Sequence, residues 1–272
     1  MKAGELVVVG SGIQLGRDLS ERTLSEIEAA DVVFCLTDAY MLDWLCQHRP
    51  DTRPLNDYYG ENKDRRDTYR EMQAAIMAPV YQGYRVCAVF YGHPGVFADA
   101  PHRAIREARA AGHRARMLPG ISAEACLYAD LGLDPGNHGV QSLEATHFLV
   151  YEHVINPAAL LILWQVALAG DLDCRRFHAD PRGLSLLIEK LERWYPPDTP
   201  VLLYEAAQLP LEACRAERMT LAALPQARYQ EYTTLVIPPI HAPAKDPAVR
   251  RALAGEEDRQ SLKCEAGTAR VS

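Results

Sequence analysis

The sequence has no apolar run approaching the roughly 20 residues that span a bilayer, and no stretch in which Lys or Arg clusters. The first absence argues against a helical membrane protein. The second, with 29 basic against 36 acidic side chains and a net charge of -7, excludes the cationic footprint that nucleic-acid phosphates require. No CxxC pair occurs among the seven scattered cysteines. Several, including Cys35 and Cys87, lie inside apolar runs, so the thiols read as small hydrophobes of a reduced, cytoplasmic protein. Nine histidines include no HExxH or paired-ligand spacing, and no metal is expected. Met1–Glu5 leads into a short apolar strand rather than a signal-peptide core. Ser142 and Ser185 lack the turn that exposes a hydrolase nucleophile.

What is present is a chain of 272 residues, 48% hydrophobic, enough for a sizeable core in one large domain or two medium ones. Strand-like runs at Leu6–Val9, Asp31–Leu36, Arg85–Phe90 and Arg114–Leu118 alternate with helical patterns. Thr23 and Glu26 have the spacing of a capping box and predict a helix over Thr23–Ala30. Further helices are predicted at Met41–Gln47, Arg66–Gln82, Ala100–Ala111 and Ser122–Asp130. This alternation predicts an α/β fold with a parallel sheet and crossover helices. Beyond Pro119 the spacing becomes hairpin-like, with strands predicted at Phe148–Tyr151, Leu160–Trp164, Val201–Glu205 and Thr233–Ile237 and a helix at Pro181–Tyr195. The expected division is an N-terminal domain over 1–118, a mixed-sheet domain over 119–240, and a charged tail over 241–272 that is poorly ordered or docks a partner.

Three glycine-bearing turns follow strands. Gly10, Gly12 and Gly16 follow the first, but the spacing misses G-x-G-x-x-G by one and no acid closes the second strand, which disfavours a dinucleotide. Tyr91-Gly92-His93-Pro94-Gly95-Val96-Phe97 leaves a strand at its carboxyl end, where open α/β sheets bind ligands. Pro119-Gly120-Ile121-Ser122-Ala123-Glu124 leaves another and opens a helix, with Ser122 as its N-cap.

At these residues the sequence resembles the tetrapyrrole methylase superfamily, whose members hold S-adenosylmethionine in the cleft between two α/β domains. The similarity covers about Leu6–Pro239, and departs where the superfamily has Gly-Pro-Gly-Asp and this chain has Gly12-Ile13-Gln14-Leu15. Tyr58-Tyr59-Gly60-Glu61-Asn62-Lys63-Asp64-Arg65-Arg66-Asp67-Thr68-Tyr69, with Leu163-Trp164-Gln165 and Leu203-Tyr204-Glu205-Ala206, is similar to the borosin (omphalotin-type) peptide backbone α-N-methyltransferases. That resemblance implies a catalytic group of Tyr59, Arg65 and Tyr69 with Tyr58 beside it. It implies cofactor contacts at Tyr91, His93, Val96, Phe97, Ser122, Ala123, Gln165, Tyr204, Ala206, Thr233 and Thr234. S-adenosylhomocysteine would be the product. The charged stretch Ile240–Ser272 lacks an apolar run like a methylated core, so the split bacterial type is expected. There a separate precursor peptide is the substrate, and a homodimer would bind two precursors as a heterotetramer. A tetrapyrrole C-methyltransferase and a non-catalytic binding scaffold are the competing readings.

The residues suit the chemistry. An amide nitrogen is a poor nucleophile because its lone pair is delocalised into the carbonyl. A tyrosinate would accept its proton, and a neighbouring cation would lower the phenol's ordinary pKa near 10. Arg65 and Tyr69 are four apart, on one face of a helix that starts early enough. Arg65 would alternatively donate to the amide oxygen as charge develops there.

Overall fold

The structure is a computed structural model, and it describes residues 3–254. Five strands, β1 (Glu5–Gly10), β2 (Val32–Leu36), β3 (Arg53–Pro54), β4 (Arg85–Phe90) and β5 (Arg114–Met117), form a sheet in the order β3-β2-β4-β1-β5. Every pair in it is parallel. Helices α1 (Glu21–Glu28), α2 (Ala39–His48), α3 (Arg65–Tyr81) and α4 (Asp99–Ala110) make the crossovers. Both faces of this sheet are covered, as a parallel sheet requires. Leu6 and Val8 pack under α3 and α4 with Met72, Ile76 and Ala104. Val7 and Val9 face the other way, against Ile27, Met41 and Leu45.

The second sheet is mixed. It contains β6 (Val140–Glu144), β7 (Leu160–Trp164), β8 (Pro200–Glu205), β9 (Arg215–Thr220) and β10 (Thr234–Ile237), ordered β6-β7-β10-β8-β9. Only β6 and β7 run parallel. Around it lie α5 (Ala123–Leu131), α6 (Pro135–His138), α7 (Ala145–Val150) and α8 (Pro181–Leu191), and α9 (Pro247–Leu253) follows the last strand. Leu161, Leu163, Leu203 and Leu235 meet α8 through Leu187 and Leu191. The opposite face takes Leu127 of α5 against Ile162, Leu202 and Val236.

Three predicted elements differ. Phe148–Tyr151 is not a strand but the end of α7: Glu144 accepts the His147 N–H at 2.7 Å and caps a helix there. The capping box at Thr23 is displaced, because Ser20 is the N-cap and accepts the Thr23 N–H at 3.1 Å. Glu26 turns instead to Arg85 and Arg116, at 2.7 and 2.9 Å. Third, the stretch after Pro239 carries α9, capped by Asp246, while the remainder of the expected tail, 255–272, lies outside the described residues. Sequence periodicity also missed β6 and β9. Both are edge strands, and β9, with Arg215, Glu217 and Arg218, carries the charge that protects a sheet edge.

At the carboxyl end of the first sheet, the loops after β1, β4 and β5 touch backbone to backbone. Gly12 and Gly92 form an antiparallel bridge, and Gly92 takes φ +65°, which favours glycine. A Cβ on Gly120 would lie 2.4 Å from the Gly92 carbonyl oxygen and 2.9 Å from the Gly10 Cα. The Gly120→Ala substitution is therefore expected to destabilise the protein by about 1–3 kcal/mol, read as a lower denaturant midpoint. An unchanged midpoint would mean that the loops part freely. Among the described residues no helix is long and apolar enough to cross a membrane, and no group of three or more His, Cys, Asp or Glu is placed to hold a metal.

Candidate active site

The carboxyl ends of β2 and β4 face the ends of β7 and β8 and the start of β10 across a cleft of about 1100 Å³. Eleven of the fifteen residues singled out from the sequence line it: Tyr59, Arg65, Tyr69, Tyr91, Val96, Phe97, Ala123, Gln165, Tyr204, Ala206 and Thr234. Parallel strands deliver their loops to one end of the sheet, so residues far apart in sequence converge there.

The other four stand behind or away from it. Tyr58 lines a separate groove with Arg53, Pro54 and Tyr84, and its carbonyl accepts from the Lys63 Nζ at 2.8 Å. His93 Nδ1 accepts the Gly95 N–H at 2.9 Å and shapes the loop after β4. Ser122 caps α5 by accepting the Ala125 N–H at 3.2 Å. Thr233 is fully buried. Its hydroxyl donates to Glu205 at 2.5 Å and accepts the Gln230 N–H at 2.7 Å. Only the last three support the cleft wall directly.

Arg65 opens α3, whose N-cap is Asp64. Its guanidinium crosses to the connection after β7: Nη2 donates to Asp171 Oδ2 at 3.0 Å, Nη1 donates to the Arg176 carbonyl, and Cζ sits 5.3 Å from the Phe177 ring centroid. Tyr59 meets Tyr69 edge to face with centroids 6.5 Å apart, and meets Phe177 at 6.1 Å in the same way. The expected depression of a phenol by Arg65 is not what this packing produces. Burial pushes the Tyr59 phenol up from its ordinary value and Tyr69 adds to it; the opposing pull of Arg65 is smaller. Tyr59 is thus a neutral hydroxyl at physiological pH. Arg65 is itself paired with the Asp171 carboxylate, whose opposite charge offsets its field at the phenol.

Other buried phenols shift the same way. Burial pushes Tyr195 up to about 12 and raises Tyr204, which also donates to Asp130 at 2.7 Å. Below pH 10 these phenols are neutral in both folded and unfolded chains, so they leave stability independent of pH. From about pH 10 upward the unfolded chain ionises first, and each phenol removes up to about 1.4 kcal/mol per pH unit. The buried thiols of Cys35 and Cys87, also pushed up to about 12, begin the loss from about pH 9, so urea midpoints measured from pH 8 to 11 should fall gently at first and steeply above pH 10; a flat profile throughout would contradict these burials.

Three non-glycine residues on the cleft wall, Phe97, Gln165 and Cys174, hold left-handed backbone at φ 50°, 54° and 54°. Strain of this kind collects where a site is pre-formed. Phe97 also packs on Trp164, with centroids 5.7 Å apart, so the loop after β4 touches the second sheet. Sequence reasoning missed Asp171, Cys174, Phe177, Asn56 and Tyr232, which also line the cleft. Asn56 opens a single 3-10 turn and the others lie in irregular connections, where no period announces a cleft-lining face.

The cleft wall carries Asp38, Asp99, Glu144, Asp171 and Glu231 against Arg65 and His102. Acid in excess suits a ligand with cationic groups. Small residues (Gly95, Ala98, Ala123, Ala206) leave room between Tyr91, Phe97 and Tyr232 for a flat ring, and the amides of Gln165 and Gln208 offer hydrogen bonds. S-adenosylmethionine, with its sulfonium, ammonium and adenine, fits this donor set. A phosphate does not fit the turn after β1, because Asp18 Oδ2 already accepts the Ile13 and Gln14 N–H groups, both at 2.9 Å.

The model of tetrapyrrole (corrin/porphyrin) methylases matches residues 5–225. The chain belongs to this methylase family. Among solved structures it is similar to uroporphyrin-III C-methyltransferase from Thermus thermophilus, with a TM-score of 0.62 and 21% identity, covering 87% of this chain and 93% of that one. At that identity the likeness is one of fold. A methyltransferase/ribosomally synthesized cyclic peptide precursor of gymnopeptides from Gymnopus fusipes is 40% identical over 253 residues, 91% of this chain and 60% of the relative. The corresponding omphalotin A protein of Omphalotus olearius is 37% identical over 243 residues, 88% of this chain and 58% of the relative. A type I borosin precursor protein of Coprinopsis marcescibilis is 39% identical over 256 residues, 93% and 65%. The chain thus spans about three fifths of the length of such curated relatives. These are fungal proteins whose names join methyltransferase and precursor in one polypeptide, whereas the sequence resemblance pointed to a split bacterial type.

Proposed function

We propose that this methylase-family chain uses S-adenosylmethionine to methylate backbone amide nitrogens of a peptide. The observation that carries the proposal is the opening of Tyr59, Arg65 and Tyr69 into the same cleft as the loop after β4. The names of the borosin relatives support the peptide substrate. Tyr91, Val96, Phe97, Ala123, Gln165, Tyr204, Ala206 and Thr234 would hold the cofactor, with His93, Ser122 and Thr233 supporting that wall. When bound, it supplies an electrophilic methyl group.

Arg65 would donate to the amide oxygen, stabilising the imidate-like negative charge that gathers there as the N–H proton leaves. Tyr59, kept neutral by burial, would donate a second hydrogen bond. The departing proton leaves its bonding pair on nitrogen, which makes that nitrogen nucleophilic. The Tyr69 hydroxyl would relay that proton, accepting it at oxygen while its own proton passes to solvent water in the cleft. In-line seating of the peptide supplies the remainder of the acceleration.

The finer reading is a peptide supplied as a separate chain to a homodimer. The test incubates the purified protein with S-adenosylmethionine, alone, with an apolar precursor peptide, and with a precorrin. Intact mass should rise by whole methyl groups on the added peptide. A rise on the protein itself would place the substrate in cis, and turnover of the precorrin alone would replace the peptide reading by tetrapyrrole C-methylation.

A further inference from the structure

Asp171 lies in the connection between β7 and α8, and its side chain is only 3% exposed although it borders the cleft. Its own loop fixes it first. The Arg175 N–H donates to Oδ1 at 3.4 Å and the Arg176 N–H to Oδ2 at 3.2 Å, while Arg176 Nε stands 3.6 Å from Oδ1. Oδ2 then accepts Arg65 Nη2 at 3.0 Å. The same segment takes Nη1 with the Arg176 carbonyl, faces the guanidinium with Phe177, and accepts the Arg65 backbone N–H at the Cys174 carbonyl, 2.9 Å away. Two of the five guanidinium donors are spent on this grip. The others belong to a side chain that is 14% exposed and lines the cleft.

A flexible arginine loses rotamer freedom whenever it must meet a reacting group, and a fixed counter-ion removes that cost beforehand. We propose that Asp171 is the positioning residue that aims Arg65 at the substrate amide oxygen; this rests on the N-methylation reading above. The carboxylate is contributed by the second sheet and the arginine by the first, so the catalytic arginine is set only when the two halves are apposed. A purely structural ion pair would fasten the halves without affecting the chemical step selectively.

The test has two arms. In the first, ¹⁵N-arginine spectra of the parent protein, assigned by loss of signal in Arg65→Lys, should show separate, slowly exchanging Nη1 and Nη2 resonances for Arg65. They should merge in Asp171→Asn. A single averaged signal in the parent overturns the proposal even if no peptide is ever methylated. In the second, Asp171→Asn should lower kcat by roughly 10²-fold while peptide KM and cofactor Kd stay within about threefold. Asp171→Glu should recover part of the loss, which also guards against a misfolded asparagine variant. Asp171→Asn combined with Arg65→Lys should be no slower than the slower single variant. A parental kcat in Asp171→Asn, or a double loss equal to the product of the singles, overturns the proposal. Failure of the parent to methylate any peptide overturns the N-methylation reading instead, and the first arm tells the two failures apart.

Discussion

Arg65→Lys is expected to bind S-adenosylmethionine within about threefold of the parent and to methylate its peptide roughly 10²-fold more slowly. Lysine keeps the positive charge, so Asp171 is not left as a buried unpaired ion and the fold survives. What it loses is the planar fork. The parent arginine satisfies Asp171 and the Arg176 carbonyl at once and still presents donors to the cleft. An ammonium has only three donors and no fixed plane. Its pull toward Asp171 competes with any contact to the amide oxygen. Single-turnover rates at saturating cofactor read the chemical step directly. A variant with the parent's rate would remove Arg65 from the chemistry and leave it as a fastener between the sheets.

The second large effect lies on the opposite wall. Ala206 follows β8 and lines the cleft near Tyr204 and Thr234. Ala206→Phe should fill space proposed for the cofactor and weaken S-adenosylmethionine binding by at least about 10²-fold, ~2.7 kcal/mol. Ala206 also packs against the layer that holds Leu127 and Tyr204, so a thermal melt establishes that the variant is folded before its affinity is read. Calorimetry of S-adenosylhomocysteine with parent and variant separates the outcomes. Equal affinities would mean that the cofactor sits elsewhere in the cleft, and the contacts assigned to Tyr204, Ala206 and Thr234 would fall with it.

The first half of the fold was legible because its physics is local. Leu6–Val9, Asp31–Leu36 and Arg85–Phe90 are buried on both faces, so they appear as continuous apolar runs bounded by turns. The second half mixes edge strands with short helices. Val140–Glu144 and Arg215–Thr220 hide because polar and charged residues alternate through them, and Phe148 reads as strand until Glu144 is seen to cap a helix. At the site, the tyrosine–arginine stretch was legible as a group, but its electrostatics were not. A four-residue spacing places Arg65 and Tyr69 on one face, yet it says nothing of an aspartate a hundred residues later. That aspartate binds the guanidinium, and burial then raises Tyr59 instead of the cation lowering it. In the proposed mechanism this makes Tyr59 a hydrogen-bond donor and leaves proton transfer to Tyr69.

Peptide-backbone methylation is tested most directly by locating the methyl group. The protein is incubated with an isotopically labelled methyl donor and an apolar precursor peptide, and the product is fragmented along its backbone in the mass spectrometer. The label should fall on main-chain nitrogens, be absent from side chains and termini, and be lost in Arg65→Lys at early times. Label on side chains only, or on a tetrapyrrole carbon with none on the peptide, would contradict backbone N-methylation.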